Sequence, residues 1–484
     1  MPAFRLSAPD APDALAGPAA FAAALRHDYG SYLLSLGLIN LGNVLLLPVI
    51  TAYLSPEDLG LYSLVETTMI QGITFSLLGL KFAYLYYYAH TPVAERAGLF
   101  GSTLLLAAMA SLTGGLLLWA LFGNTAIMAC FDTTPLRHAW LMIPLLMLGA
   151  MQTLLMTELR AARRAWLSGG IAVAQLALTL LGSLLLVAVF GFGLTGLLLA
   201  QLVTGLLVGG IALALMRNRI AFRWQPRQIK ALLHYGIPMM GSLLLRYSLD
   251  TACRFLLAAL VSIEAAGTFL VANSVASVFD GLLALPFFTA WGGLVHHALR
   301  QPAAATIVGR ATGLAITLGS LLVLVILAAR PWLFDILAHH PMPDTAALFT
   351  LLLLSKAVLL VRSPLTSGIL ATGRTGWATS NSLLGLVVFL ALLYPLAQSW
   401  QAAGMAAALL IANTVATLVL ALQARRHCRP RINGTAWLLC GLAAGGGLLG
   451  LTPAGWPAIL AALLGAALIA TLLTWRHPAD TEPV

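Results

Sequence analysis

Apolar stretches of roughly 20 residues recur along this chain from Ser31 to Trp475, and a helix of that length crosses the hydrocarbon core of a bilayer. Window hydropathy predicts about fourteen such spans. They cover residues 31–53, 61–86, 98–122, 139–159, 168–190, 194–216, 236–260, 265–290, 304–329, 346–361, 376–396, 403–423, 435–452 and 456–475. Only 9% of the residues are charged, against about 25% in a soluble domain. The sequence therefore predicts an all-α polytopic membrane protein.

The loops between the predicted spans alternate in charge. Every second loop is basic, and these loops hold Arg96, Arg160, Arg163, Arg164, Arg217, Arg219, Arg223, Arg227, Lys230, Arg300, Arg310, Arg362, Arg374, Arg425, Arg426, Arg429 and Arg431. The intervening loops hold only Arg137 and Arg330. Because basic loops stay on the cytoplasmic side, both termini are predicted to be cytoplasmic. This orientation signal accounts for the net charge of +10, so nucleic acid is not an expected partner.

Three short motifs occur twice at a nearly constant offset. Tyr29-Gly30 matches Tyr235-Gly236, the motif SPEDLGLY at 55–62 matches SIEAAGTF at 262–269, and Gly193-Leu-Thr-Gly196 matches Gln401-Ala-Ala-Gly404. The offsets are 206, 207 and 208 residues. A register kept over six spans predicts a parallel repeat of two six-helix lobes related by a pseudo-twofold axis, followed by two extra C-terminal helices.

This organisation divides the chain into seven predicted segments. They are a cytoplasmic tail at 1–30, an N-lobe at 31–216, a basic linker at 217–234, a C-lobe at 235–424, a basic cytoplasmic loop at 425–433, two further spans at 434–475 and a cytoplasmic tail at 476–484. The four cysteines have no clustered spacing, so neither a disulfide framework nor a metal site is expected.

Few ionisable residues fall inside the predicted spans. They are Glu66, Lys81, Arg246, Asp250, Arg254, Asp280 and Lys356. A charge at the bilayer centre costs at least ~2.5–3.5 kcal/mol, so such groups usually face a cavity or a partner. Arg246, Asp250 and Arg254 are four residues apart and share one face of span 7.

Polar residues of the other spans match this face under the repeat. Asn273 and Asp280 share a face of span 8, and Asn40 and Asn43 share a face of span 1. Asn40 occupies the repeat position of Arg246, and Glu66 is the counterpart of Asn273. The spacing therefore predicts that spans 1, 2, 7 and 8 line one central cavity.

The repeated loop motifs resemble a known family. The segment YLSPEDLGLYSLVET at 53–67, its echo LVSIEAAGTFLVANS at 260–274, and residues 370–420 are similar to the signature of polysaccharide-type flippases. Nearly the whole chain resembles the Wzx-type oligosaccharide-lipid flippases, which share a superfamily with multidrug and toxin extrusion transporters and lipid II flippases. The resemblance implies a V-shaped pair of lobes in the bacterial inner membrane. It also implies a lipid-linked oligosaccharide substrate, and polysaccharide polymerase or export machinery as protein partners.

On this interpretation Arg246, Arg254 and Lys356 bind a diphosphate head group, because arginine can donate two parallel hydrogen bonds to phosphate. The cavity-facing amides complete the predicted substrate site; they are Asn40, Asn43 and Asn273. The carboxylates either couple transport to H⁺ or Na⁺ or hold the cations in place; they are Glu66, Asp250 and Asp280. No other cofactor is expected.

Alternatives to this interpretation remain. Arg246, Asp250 and Arg254 could instead pair with one another inside a lobe. Lys81 and Tyr84 are predicted near the cytoplasmic entrance, where the run Tyr-Leu-Tyr-Tyr-Tyr at 84–88 forms an aromatic belt or a sugar-stacking platform. At the level of function, a drug/cation antiporter and a lipid II flippase are the rivals. A membrane glycosyltransferase is disfavoured because no loop exceeds roughly 20 residues.

Overall fold

A computed structural model describes residues 38–124, 139–162, 165–221, 225–288, 291, 304–337, 345–370, 375–427 and a few positions between 439 and 446. Every described element is helical, which confirms the all-α class. The main helices are α1 Leu38–Tyr53, α2 Pro56–Ser76, α3 Leu80–His90, α4 Val93–Phe122, α5 Met142–Ala161, α6 Ala165–Ser183, α7 Gly193–Leu215, α8 Pro226–Leu260, α9 Ile263–Phe279, α10 Ala304–Leu337, α11 Thr345–Leu370 and α12 Thr375–His427.

Helices occupy the positions of the first twelve predicted spans. In the described part of the chain eight helices are long and apolar enough to cross a membrane, or nine when α2 and α3 count as one bent span. Both α4 and α6 leave most of their apolar surface outside the protein interior, as lipid-facing helices do. Predicted spans 13 and 14, both terminal tails and most of the 425–433 loop lie outside the described residues.

Two boundaries differ from the sequence prediction. Helix α10 continues to Leu337, so Arg330 lies inside a helix with only 7% of its surface exposed, where the sequence placed it in a loop. The apolar residues Trp332, Leu333 and Phe334 extend the helical run and explain the difference. Helix α8 begins at Pro226, within the predicted linker, because proline is well tolerated in the first turn of a helix.

The repeated SPEDLGLY and SIEAAGTF motifs are helix starts. Ser55 caps α2 by accepting a hydrogen bond from the amide of Asp58 at 3.1 Å, and Ser262 caps α9 by accepting one from Ala265 at 3.1 Å. Each first turn carries a glutamate, Glu57 or Glu264, which interacts favourably with the positive end of the helix dipole. Both copies of the motif therefore begin a helix with the same serine cap.

The glycines of these two motifs pack against each other's helix. A Cβ added to Gly60 would lie 2.0 Å from the carbonyl oxygen of Ile263, and one added to Gly267 would lie 2.7 Å from that of Pro56. Ile263 and Pro56 are themselves equivalent positions under the 207-residue offset. The contact between the two copies of the motif is thus reciprocal.

The third motif is a turn between two helices in each copy. Gly193 and Gln401 occupy equivalent positions and both have positive φ, 54° and 49°. Three residues later, Gly196 and Gly404 pack against backbone carbonyls of the preceding helix, those of Leu186 and Leu396. In the second copy α12 runs through this turn and contains the kink at Gln401.

Helix α2 breaks before α3. Leu78 and Gly79 have φ of 47° and 70°, and the two helical segments are bent by 42°. Gly79 contacts α8, because a Cβ there would lie 2.0 Å from the carbonyl oxygen of Gly236. A side chain at Gly79 would be both strained and blocked, so glycine is required at this turn.

Candidate functional site

One ion pair joins helices from the two repeat copies. Arg254 on α8 donates from Nη1 to Oε2 of Glu66 on α2 at 2.9 Å, and from the same nitrogen to the carbonyl oxygen of Ser63 at 3.4 Å. The Arg254 side chain is 11% exposed and the Glu66 side chain 31%. Glu66 therefore keeps an accessible side while it neutralises an arginine that is almost fully enclosed.

A second polar contact supports the same helix pair. Gln71 donates from Nε2 to the hydroxyl of Thr251 at 2.6 Å. Gln71 follows Glu66 by five residues on α2, and Thr251 precedes Arg254 by three on α8, so both contacts lie along one seam between the helices. Polar side chains that bond across such a seam fix the two helices relative to each other without exposing the seam to water.

A further ion pair lies within the second repeat copy. Lys356 on α11 donates from Nζ to Oδ2 of Asp280 at 2.5 Å, and the two side chains are 16% and 28% exposed. Asp280 opens a π-helical segment, Asp280–Ala284, that continues α9. Such π-bulges re-aim side chains and occur frequently at functional sites.

These two pairs bring together four of the predicted site residues. Arg254 and Lys356 were predicted as cations of a substrate cavity, and Glu66 and Asp280 as charge-pairing or ion-coupling carboxylates. Among the described side chains these cations and carboxylates pair one to one. Each pair joins two helices. Arg254 is bound by the other repeat copy, because Glu66 lies in the first copy.

The remaining predicted cavity residues are placed by backbone only, apart from Asn273. Asn273 is half-buried on α9. Arg246 and Asp250 lie in α8, and Asn40 and Asn43 in α1, but their side chains fall outside the described part of the structure. Their roles stay predictions.

Tyr84 lies in the protein interior. It is fully buried, and its hydroxyl donates to the Oε2 of Glu158 on α5. Lys81 is half-buried, with its Nζ 4.9 Å from the centroid of the Phe82 ring. Two further tyrosines of the same helix, Tyr86 and Tyr87, pack on Tyr235 of α8, so the tyrosine run is divided between a core contact and an interhelical one.

Glu158 is a buried charged residue that the sequence analysis missed. Only 3% of its surface is exposed, and it accepts from Tyr84 and from Nη1 of Arg219 at 3.3 Å. A carboxylate one residue inside a predicted span end was the available signal, but its position beside the basic loop hid it. In the described part of the chain no cluster of three or more histidines, cysteines or carboxylates could hold a metal ion.

Comparison with known proteins agrees with this architecture. A family model described as "Polysaccharide biosynthesis protein" matches residues 25–291, more than half of the chain. The structure is similar to the inward closed conformation of the lipid II flippase MurJ, with a TM-score of 0.71, 11% identity, and 93% of this chain and 98% of that chain covered.

Two other solved structures extend the comparison. An inward-facing MATE family multidrug resistance transporter of the MOP superfamily has a TM-score of 0.63, 15% identity and coverage of 82% of this chain and 98% of its own. A MOP superfamily transporter from Pyrococcus furiosus, whose binding pocket is described as having reversed polarity, has a TM-score of 0.51, 16% identity and coverage of 86% and 97%. No curated protein sequence matches the chain significantly.

These likenesses establish the fold. It is that of MurJ and the MATE transporters, and the described helices that are long and apolar enough to cross a bilayer indicate a multi-pass membrane protein. The matched structures are described as a flippase and as transporters.

Proposed function

The chain belongs to the polysaccharide biosynthesis protein family, and on that premise we propose that it is a flippase for polyprenyl-diphosphate-linked oligosaccharides. It would move the head group from the cytoplasmic to the outer leaflet of the bacterial inner membrane by alternating access. The two repeat copies would act as the two lobes, and both termini would be cytoplasmic, as the charge of the loops favours.

The observation that carries this proposal is the placement of Arg254. It lies on the seam between the two repeat copies, and among the described contacts only its Nη1 is engaged. A guanidinium presents five N–H donors in a planar fork that fits phosphate. Arg254 is therefore held in place by Glu66, and its remaining N–H groups would donate to a diphosphate when the seam opens to the cavity.

The second ion pair would complete an extended binding surface. Lys356 would contribute a further cation, with Asp280 positioning it. Arg246, Asn40, Asn43 and Asn273 would line the rest of the cavity. Glu66, Asp250 and Asp280 would supply coupling to H⁺ or Na⁺ as well as charge pairing, and a polysaccharide polymerase or exporter would receive the product.

A cation antiporter is the second candidate function. It is favoured by the likeness to a MATE transporter and by the partly exposed carboxylates of Glu66 and Asp280. In that case the carboxylates would bind the cargo or coupling ion, and Arg254 and Lys356 would be their counter-ions.

The test is to delete the gene and measure where lipid-linked oligosaccharide accumulates. We expect it on the cytoplasmic leaflet, cleared by the wild-type gene but not by Arg254→Ala. Removing one partner of a desolvated charge pair costs about 2–5 kcal/mol, so clearance should fall at least roughly thirtyfold.

Arg217→Ala is the matched control, because Arg217 is an exposed arginine in the turn that follows α7. It should clear the intermediate as the wild type does, with both variants present in the membrane at equal amounts. If the deletion strain traps no lipid-linked oligosaccharide and instead becomes sensitive to cationic drugs, the flippase proposal fails and the antiporter is favoured.

A further inference from the structure

The broken helix α2–α3 closes one end of the seam between the repeat copies. We call the end beside Arg96, Arg217 and Arg219 the basic end. There the backbone of Gly79 contacts that of Gly236, and Tyr86 stacks on Tyr235 with ring centroids 4.7 Å apart and an interplanar angle of 14°. Aromatic pairs in this geometry contribute beyond their buried area, so α3 and α8 are sealed together.

The break between α2 and α3 provides a hinge about which α3 would move as a unit. Segment α3 is separated from α2 by two residues in left-handed conformations, Leu78 and Gly79. Hinges are commonly a few residues at helix ends that absorb changes in φ and ψ. A change at this break would carry Tyr86 away from Tyr235 while leaving the Glu66–Arg254 pair on α2 in place.

Glu158 fixes the other side of α3. The fully buried Tyr84 donates to Glu158, and Tyr84 precedes Tyr86 by two residues, so the two rings point to different sides of the helix. The same carboxylate binds Arg219. Two residues further on, the amide of Ala221 donates to the carbonyl oxygen of Ala97 at 3.0 Å, which anchors this connecting segment on α4.

We infer that Glu158 is a positioning residue of a gate formed by α3: through Tyr84 it sets Tyr86 against Tyr235, and through Arg219 it ties the gate to the segment between the repeat copies. This inference rests on the proposed alternating-access function, since a gate has a role only where the seam opens. The carboxylate is suited to the task because one buried acceptor group serves two donors from separate elements.

The experiment is a cross-linking measurement that needs no substrate. The parent protein carries Tyr86→Cys and Tyr235→Cys in the full-length chain with its native cysteines replaced; these are Cys130, Cys253, Cys428 and Cys440. A short bifunctional thiol reagent should join the two positions in membranes. We expect Tyr84→Phe and Glu158→Ala each to lower the cross-linking rate roughly tenfold, the effect of losing one charge-assisted hydrogen bond.

Glu158→Gln is the conservative variant, because it keeps an oxygen acceptor for Tyr84, and it should restore much of the rate. The control pair is Leu64→Cys with Ile263→Cys, which belong to a buried cluster at the opposite end of the seam; its rate should not change in any variant. Tyr84→Phe removes only a hydroxyl, so it tests the inference even if Glu158→Ala fails to accumulate.

Two results would overturn the inference. One is absence of cross-linking in the parent protein, which would mean that α3 does not close on α8. The other is an unchanged rate in Tyr84→Phe and Glu158→Ala, which would reduce Glu158 to a core contact. Both are independent of whether lipid-linked oligosaccharide is trapped in the deletion strain, so failure of the gate and failure of the flippase proposal are distinguishable.

Discussion

The two repeat copies share their scaffold but not their charges. Ser55 and Ser262 cap equivalent helices, and Gly60 and Gly267 make reciprocal contacts. Arg254, however, stands eight residues before Ser262, whereas the residue eight before Ser55 is the buried Leu47. In the same way Asp280 corresponds to Ile73, and Glu66 to Asn273.

The difference separates residues that build the fold from residues that are candidates for ligand binding. Caps and close-packed glycines solve a backbone problem that each copy faces, so they occur in both. A desolvated charge is costly even when it is paired, and one copy does without it. The unmatched charges of Arg254, Glu66 and Asp280 are therefore the better candidates for function.

The largest effect is expected when a residue of the Glu66–Arg254 pair is replaced by its equivalent from the other copy. We expect Arg254→Leu, which mirrors Leu47, to reduce transport by roughly thirtyfold or more, because Glu66 is then left partly buried without a partner. Glu66→Asn, which mirrors Asn273, should leave Arg254 without its counter-ion. The measurement is clearance of lipid-linked oligosaccharide together with the unfolding temperature in detergent.

The double variant sharpens this comparison. If the pair acts mainly in stability, Arg254→Leu with Glu66→Asn should recover the unfolding temperature, since neither charge is left alone. Transport should stay low, because the donors that we propose bind the diphosphate are gone. Recovery of both properties would mean that the pair is a structural feature and that the ligand is bound elsewhere.

A smaller effect is expected from substituting the close-packed glycines that both copies contain. Gly60→Ala brings a Cβ against the carbonyl oxygen of Ile263, a backbone atom that cannot rotate away. Overpacking of this kind costs about 1–3 kcal/mol, and the unfolding temperature should fall more in Gly60→Ala than in Gly267→Ala, where the nearest backbone oxygen is farther. Gly210→Ala is the control, because nothing lies within 4 Å of that position. An equal fall in its unfolding temperature would show that the close approach of Gly60 to Ile263 is not the cause.

The sequence predicted what depends on local chemistry. Hydropathy located the helices at the first twelve predicted spans, because apolar periodicity depends on residues that are close in sequence. The repeat around Ser55 and Ser262 was also recognised from the sequence, but its role as a helix start was not predicted. The partner of Arg254 was not predicted, since Glu66 is 188 residues away and helix contacts depend on tertiary packing. The break at Gly79 was hidden inside an apolar run, where hydropathy stays high whether the helix is straight or bent.

The smallest effect is expected at the turn of the third repeated motif, where one copy has Gly193 and the other has Gln401. Gln401 has φ of 49° and ψ of −126°, a conformation that favours glycine at the first central position of a type II′ turn, and its counterpart is Gly193. Gln401→Gly should therefore raise stability by about 1 kcal/mol, as relief of backbone strain exceeds the added chain entropy. The reverse change, Gly193→Gln, should lower the unfolding temperature. If Gln401→Gly lowers it as well, the glutamine side chain stabilises the turn, and the two copies differ in their turns as they do in their charges.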